Sequence, residues 1–216
     1  MKIEKNPNPE QGWWLSWYQD PPETTRDRIL FCAFKEVHLN GFQSASIQNI
    51  INAAGVTKGA LYHYFDSKDA IGLALLDEIF TKYVETNYIA PISNTNDPIT
   101  TFIEFLQASG SKMTEEDVAL GCPMDHFSQE MAPINQQFQK RIDRLYQKKS
   151  DALVSAFKRG QVAGNVTREV PAESIALMVT ATLQGCMGIA KNTRSLDSLM
   201  QCGEGLIHYL ESLRPV

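Results

Sequence analysis

The sequence predicts an all-α protein of about nine helices, on three observations. Apolar residues recur three and four positions apart from Thr24 to Leu213, the spacing of one helical face. No stretch alternates apolar and polar residues in the manner of a half-buried strand. Capping residues and glycine or proline stops divide the chain into helix-sized pieces.

Residues 1–23 read as an arm bounded by prolines, with Trp13, Trp14, Trp17 and Tyr18 and no Lys or Arg after Lys5. That composition excludes a basic minor-groove arm. Rings of this size are expected to dock on the protein body or on a second subunit rather than stay wet. Thr24 opens the first long helix, and Asp27 three residues later completes a capping-box pattern. Its apolar stripe is Ile29, Leu30, Ala33, Phe34 and Val37, and Gly41 ends it. Ser46 caps a second helix carrying Ile47, Ile50, Ile51 and Ala54. Gly55 supplies the positive φ that stops it, and Val56 can fill the angle behind the turn. Thr57 caps a third helix through Lys58, Gly59, Ala60, Leu61, Tyr62 and His63. Two short helices at a steep angle across a glycine turn make a helix-turn-helix.

Ser67 caps a connecting helix from about Lys68 to Tyr88, with Ile71, Leu75, Ile79, Phe80 and Tyr83 on one face. Residues 91–98 read as a loop. Asp97 or Thr100 begins a helix through Phe102, Phe105 and Leu106, and a polar loop then runs to Glu116. Cys122-Pro123 starts a short helix to about Met131, proline being well placed at the first helical position. Pro133 starts a long helix to about Arg159, with Ile134, Phe138, Ile142, Leu145, Ala152 and Ala156 inward. Lys140, Arg144 and Lys148 form a basic stripe on its solvated face. Residues 160–164 read as a turn. Pro171 opens a helix to about Asn192, and Leu196 opens the last, to about Leu213.

A chain of 216 residues with 43% hydrophobic content can bury a sizeable core in one large domain or two small ones. No apolar run approaches the roughly 18 residues of a membrane span, and the first residues lack the apolar core of a signal peptide. The expected location is the cytoplasm. Cys32, Cys122, Cys186 and Cys202 show no metal-type pairing, so they are expected to be free thiols, with no metal and no cofactor. The net charge is −5, but residues 24–70 hold five basic side chains against four acidic ones, +1, leaving −6 elsewhere. That is a modest footprint for nucleic acid, tolerable where binding is dimeric and local.

The third helix has the surface that a DNA major groove accepts. Gly59 and Ala60 let the backbone approach closely, and Lys58 can reach phosphate or guanine. Tyr62 and His63 lie further around, while Lys68 joins a positive charge to free N–H groups at a helix start. Ile50 to Phe65, followed by Ser67-Lys68-Asp69, resembles the signature of the TetR (AcrR-like) transcriptional regulators. Ser46 stands for that signature's first Thr, Thr57 for Ser, Ala60 for Thr, Tyr64 for His and Asp69 for Glu, and Ile51 replaces a small Ala.

The resemblance implies a homodimeric, ligand-responsive repressor, and not an enzyme. Its domains would be a helix-turn-helix domain over 24–70 and an effector-binding and dimerisation domain over 71–216. The partners would be a double-stranded palindromic operator, a small effector and a second copy of the chain, with no membrane. It carries DNA contact onto Ser46, Thr57, Lys58, Gly59, Ala60, Tyr62, His63 and Lys68. The last two helices hold apolar faces interrupted by glycines, which suits the close approach of another helix. Val179, Thr182, Cys186, Gly188 and Ile189 on one, with Cys202, Gly203, Leu206 and Leu210 on the other, are the expected dimer contacts. Phe102, Phe105, Met124, Phe127, Met131, Phe138 and Met178 are expected to line an effector cavity, with Cys122, His126 and Gln184 as polar contacts. That mixture suits a mostly apolar or aromatic molecule. Cys122 at a helix start, with His126 one turn on, reads first as a structural cysteine, with a thiol that senses oxidants or electrophiles, a metal ligand, and a small helical enzyme using that pair as alternatives.

Overall fold

The computed structural model describes residues 22–215, and among them the secondary structure is helical throughout, as expected. The reading of an aromatic arm rests on residues 1–21, outside the described residues. Contacts divide the described chain into two compact units: residues 22–83 with 123–145, and residues 84–122 with 146–215.

The first unit is built from local capping chemistry. In α1 (Thr25–Asn40) the Thr24 hydroxyl accepts from the Asp27 N–H at 3.1 Å while the Asp27 carboxylate accepts from the Thr24 N–H at 3.1 Å. α2 (Ile47–Ala54) starts on Ser46 and stops at Gly55, whose φ of 63° is left-handed. α3 (Lys58–Tyr64) starts on the Thr57 hydroxyl, which accepts from the Ala60 N–H at 3.1 Å. α4 (Lys68–Ala74) starts on Ser67, bonded likewise to the Ala70 N–H at 3.0 Å. It continues without a break through a π-type stretch (Leu75–Phe80) into α5 (Thr81–Val84), where the Thr81 hydroxyl donates to the Leu76 carbonyl five residues back. A second π-type stretch (Glu85–Ile89) and α6 (Ala90–Ile92) follow in the other unit, so the connecting helix runs past the expected end at Tyr88.

α9 (Pro123–Met131) and the first ten residues of α10 (Gln136–Ala163) pack with α1–α4 in this first unit. Phe42, Phe127 and Phe138 interlock with ring centroids 5.2–5.6 Å apart, and Phe80 joins Phe127 at 5.6 Å. Gly72 faces this cluster: a Cβ there would lie 2.5 Å from the Phe42 ring and 2.8 Å from Phe138, so nothing larger fits. Glu130 ties α9 to the loop after α1. Its two carboxylate oxygens accept from the Phe42 and Gln43 N–H groups, each at 2.7 Å. Gly41, at φ 79°, turns the chain there with its Cα against the same carboxylate.

The second unit holds α7 (Pro98–Gly110), α8 (Glu115–Leu120), the rest of α10, α11 (Ala172–Thr193) and α12 (Leu196–Ser212). Its core gathers Ile99, Phe102, Leu153, Phe157, Val166, Ile175, Val179, Leu206 and Leu210. Three expectations are corrected here. The polar stretch before Glu116 contains the start of α8, opened by a reciprocal Thr114–Asp117 capping box. α10 starts at Gln136, which leaves Ile134 outside the helix and 60% exposed rather than inward. Gly160 lies inside α10, not in a turn, because its missing side chain admits Val166 and Pro98, whose atoms would stand 2.7 and 2.8 Å from a Cβ. α11 is long and apolar enough to cross a membrane, by length and composition alone. Its apolarity is divided between a face in the core and an exposed face.

Candidate nucleic-acid interface

α3 presents a short, exposed and uncompensated face. Leu61 is fully buried and Phe65 nearly so, anchoring the helix on α1 and α2. Opposite them, Thr57, Lys58, Gly59, Tyr62, His63 and Tyr64 are exposed, and the helix carries no carboxylate. Tyr62 keeps 40% of its surface, so it is not a core tyrosine. The Lys58 ammonium stands 6.0 Å from the Tyr62 ring centre, and the His63 and Tyr64 rings meet edge to face at 5.1 Å. Gly59 and Ala60 leave the N-terminal turn bare, and no atom comes closer than 4.0 Å to where a Gly59 Cβ would stand. Backbone can therefore approach a phosphate or a base edge closely.

Ser46 and Thr57 spend their hydroxyls on helix caps. Lys68 is half-buried; its ammonium donates to the Gln43 carbonyl at 2.8 Å and lies 5.3 Å from the Phe42 ring centre. The structure thus brings seven of the eight expected DNA residues (Ser46, Thr57, Lys58, Gly59, Ala60, Tyr62, His63) into α2, α3 and their caps, with Lys68 starting α4. Around them, Arg26 forks onto Glu78 at 2.6 and 2.8 Å and Arg141 pairs with Asp77 at 2.9 Å, steadying the helices that carry α3.

The expected dimer contacts separate into two groups. Val179, Leu206 and Leu210 belong to the chain's own core, 0–2% exposed, and Cys186 is buried as well, against Cys202 rather than in that cluster. These four are corrected: both faces of α11 and α12 are apolar, and spacing alone cannot say which one turns inward. Thr182, Gly188, Cys202 and Gly203 are half-buried and Ile189 is 53% exposed. The exposed face is completed by Leu177, Met178 and Met200, at 70, 51 and 44%. Nothing lies within 4 Å of a Cβ at Gly185, Gly188, Gly203 or Gly205, so these glycines open outward.

The expected effector residues are distributed over both units. Met178 is corrected, since it points to solvent. Met124, His126, Phe127, Met131 and Phe138 belong to the unit that holds α3, whereas Phe102, Phe105, Cys122 and Gln184 belong to the other. Phe127 and Phe138 fill the aromatic cluster rather than line an opening. His126 borders a cavity of about 10 Å³ with His38, Phe34, Phe80 and Glu130, close to the room one water needs. In the second unit Phe105 packs on Tyr88 at 5.1 Å and on Phe102 at 6.1 Å. Gln184 donates to the Tyr146 hydroxyl at 2.5 Å.

Among the thiols, burial pushes Cys32 up and pushes Cys186 up to about 12, the latter with help from the Cys202 sulfur. Cys122 is half-buried. One side chain escaped the sequence reading. Lys149 on α10 is 3% exposed, and burial lowers its ammonium to about 8 against the opposing influence of Cys122. The signal was present: Lys149 falls four residues after Leu145 and four before Leu153, on the apolar stripe rather than on the solvated one with Lys140, Arg144 and Lys148.

The family model for bacterial regulatory proteins of the tetR family matches residues 29–75. The model for the C-terminal domain of LmrA/YxaF-like transcriptional regulators matches residues 98–205. The chain is 27% identical over 164 residues to the HTH-type transcriptional repressor DhaR of Mycobacterium sp. (strain GP1), spanning 74% of this chain and 80% of that protein. The crystal structure of E. coli NemR in its reduced form matches with a TM-score of 0.75 at 20% identity, covering 89% of this chain and 98% of that one. A TetR regulator from Chloroflexus aurantiacus matches with a TM-score of 0.74 at 23% identity, covering 87% and 94%. At these identities the structural likeness is one of fold.

Proposed function

The chain belongs to the TetR family of bacterial regulatory proteins and is a DNA-binding transcriptional regulator, and we propose that it is a homodimeric repressor released from a palindromic operator by a small effector. The exposed, carboxylate-free face of α3 carries this reading. Lys58 supplies a phosphate or guanine contact, Tyr62 and His63 reach the groove wall, and Gly59 and Ala60 permit the approach. Lys68 holds the loop after α1 and offers its remaining donors to phosphate. A second copy would cover the exposed apolar face of α11 and α12, since a patch of this kind is rarely left wet. Two recognition helices would then enter successive major grooves about 34–36 Å apart.

The effector is read as a small, mostly apolar or aromatic molecule held in the second unit, where Phe102, Phe105, Cys122 and Gln184 lie. Its effect on the operator equals its differential affinity for the DNA-competent and incompetent dimers. The test is operator selection from random duplexes, followed by binding of wild type and Tyr62→Ala. The reading expects a selected inverted repeat and weaker binding by the variant with unchanged helix content. Failure to enrich any sequence, by a folded dimer, would count against it.

A further inference from the structure

Lys149 is placed where a leucine would be expected. Its stem follows the buried stripe of α10, and its ammonium stands 4.0 Å from the centre of the Tyr88 ring. Among the described residues, no carboxylate or carbonyl is paired with it; the group within electrostatic reach is the Cys122 thiol. Taking an ammonium out of water is costly, and that burial lowers its pKa. Leucine or methionine would fill the same volume without it. The site beside the ammonium is aromatic: Tyr88 packs on Phe105, and Phe105 on Phe102.

We propose that Lys149 is the counter-charge for an acidic effector, a small planar aromatic carboxylate whose ring packs with Tyr88 and Phe105 and whose carboxylate accepts from the ammonium. This inference rests on the effector reading and narrows its ligand class. A neutral carbonyl could also accept from Lys149, but charge decides between them. A charge-assisted bond in a dry site is roughly twice as strong as a neutral one. An acid accepting from Lys149 also leaves the three N–H donors fewer unmet bonds.

The experiment is calorimetry on the DNA-free protein with a graded series of acids from benzoate to 2-naphthoate, each matched with its primary amide. At least one acid should bind more than tenfold more tightly than its amide. Lys149→Met should abolish that preference, and Lys149→Gln, which keeps donors but not charge, should bind acid and amide alike. Lys149→Met should stay folded, since a buried charge replaced by an apolar group is often neutral or stabilising, and circular dichroism checks the fold of both variants. Equal affinity for acid and amide, no binding by any member, or a preference that survives in Lys149→Met would each overturn the proposal. If instead Lys149 serves only the Cys122 thiol, Lys149→Met will slow iodoacetamide alkylation of Cys122 while no acid binds, which also overturns it. Operator release is measured separately. Acid binding without release leaves the site standing and sinks the regulatory reading, whereas release by neutral compounds alone does the reverse.

Discussion

Two exposed faces of this protein differ in the partner their chemistry asks for. The α3 face is polar and basic, with Lys58, Tyr62 and His63 around a bare N-terminal turn. α11 and α12 expose the apolar Leu177, Met178, Ile189 and Met200, and Gly185 and Gly188 on α11 meet nothing. Both use small residues to let something come close. On α3 no burial is gained, so attraction must come from a charged, hydrogen-bonding partner such as the DNA backbone. Leu177, Met178, Ile189 and Met200 are uncharged, so there stabilisation would come from covering apolar surface, which a second copy would do twice by symmetry.

Gly188→Leu should separate the two faces most sharply. Within one chain the new side chain meets open space, so the fold should survive and the helix should gain propensity. Across a two-fold interface the clash appears twice, about 1–3 kcal/mol each. Sedimentation should show a folded monomer with little operator affinity. A dimer that persists unchanged would move the interface elsewhere.

Tyr62→Ala tests the other face without touching assembly, and should cost about 1–3 kcal/mol of operator binding. Lys58→Ala should weaken all sequences similarly and reduce the salt slope by about one unit per subunit. An unchanged slope would show that Lys58 meets no phosphate.

Glu130→Ala asks whether the α3 face depends on its support. It strips two backbone N–H groups of their acceptor, which should lower stability by about 1–3 kcal/mol in a chemical melt. Operator affinity should fall with it, while the dimer, governed by the other face, stays intact.

A smaller effect comes from Lys149, which lies on neither face. Its ammonium titrates near 8 when folded and near 10.5 otherwise, so between those values the unfolded chain binds more protons and stability rises with pH. Cys186 acts oppositely above 9.0, where the folded thiol keeps a proton that the unfolded one loses. From pH 8 to 9 the Lys149 effect should dominate, on the order of 1 kcal/mol. Melts of Lys149→Met should lose that rise, and a persisting rise would assign the effect to another group.

What the sequence made legible was whatever is decided within four residues. Thr24, Ser46, Thr57 and Ser67 each cap the helix expected of them, because a hydroxyl and an N–H two or three residues on are always within reach. The face of α3 was readable for the same reason, since buried Leu61 fixes which side is left. α8 carries the same kind of signal in Thr114-x-x-Asp117, masked by the polar stretch around it. The remaining differences depend on distant residues. Val166 and Pro98 occupy the space a side chain on Gly160 would take, and Val179 is core because it packs with Leu206 and Leu210 of α12. The same holds for Lys149, whose charge argued for solvent while its position on the stripe argued for the interior. Nothing local distinguishes the two π-type stretches after α4.

Hydroxyl-radical footprinting of the selected operator, with wild type beside Gly188→Leu and Tyr62→Ala, tests the central claim most directly. The claim predicts two symmetric protected patches centred one helical turn apart, about 34–36 Å. Both should fade with either substitution, through loss of the dimer in one case and of the groove contact in the other. A wild-type footprint of a single patch, or one that Tyr62→Ala leaves unaltered, would contradict the claim that α3 is the element that reads DNA.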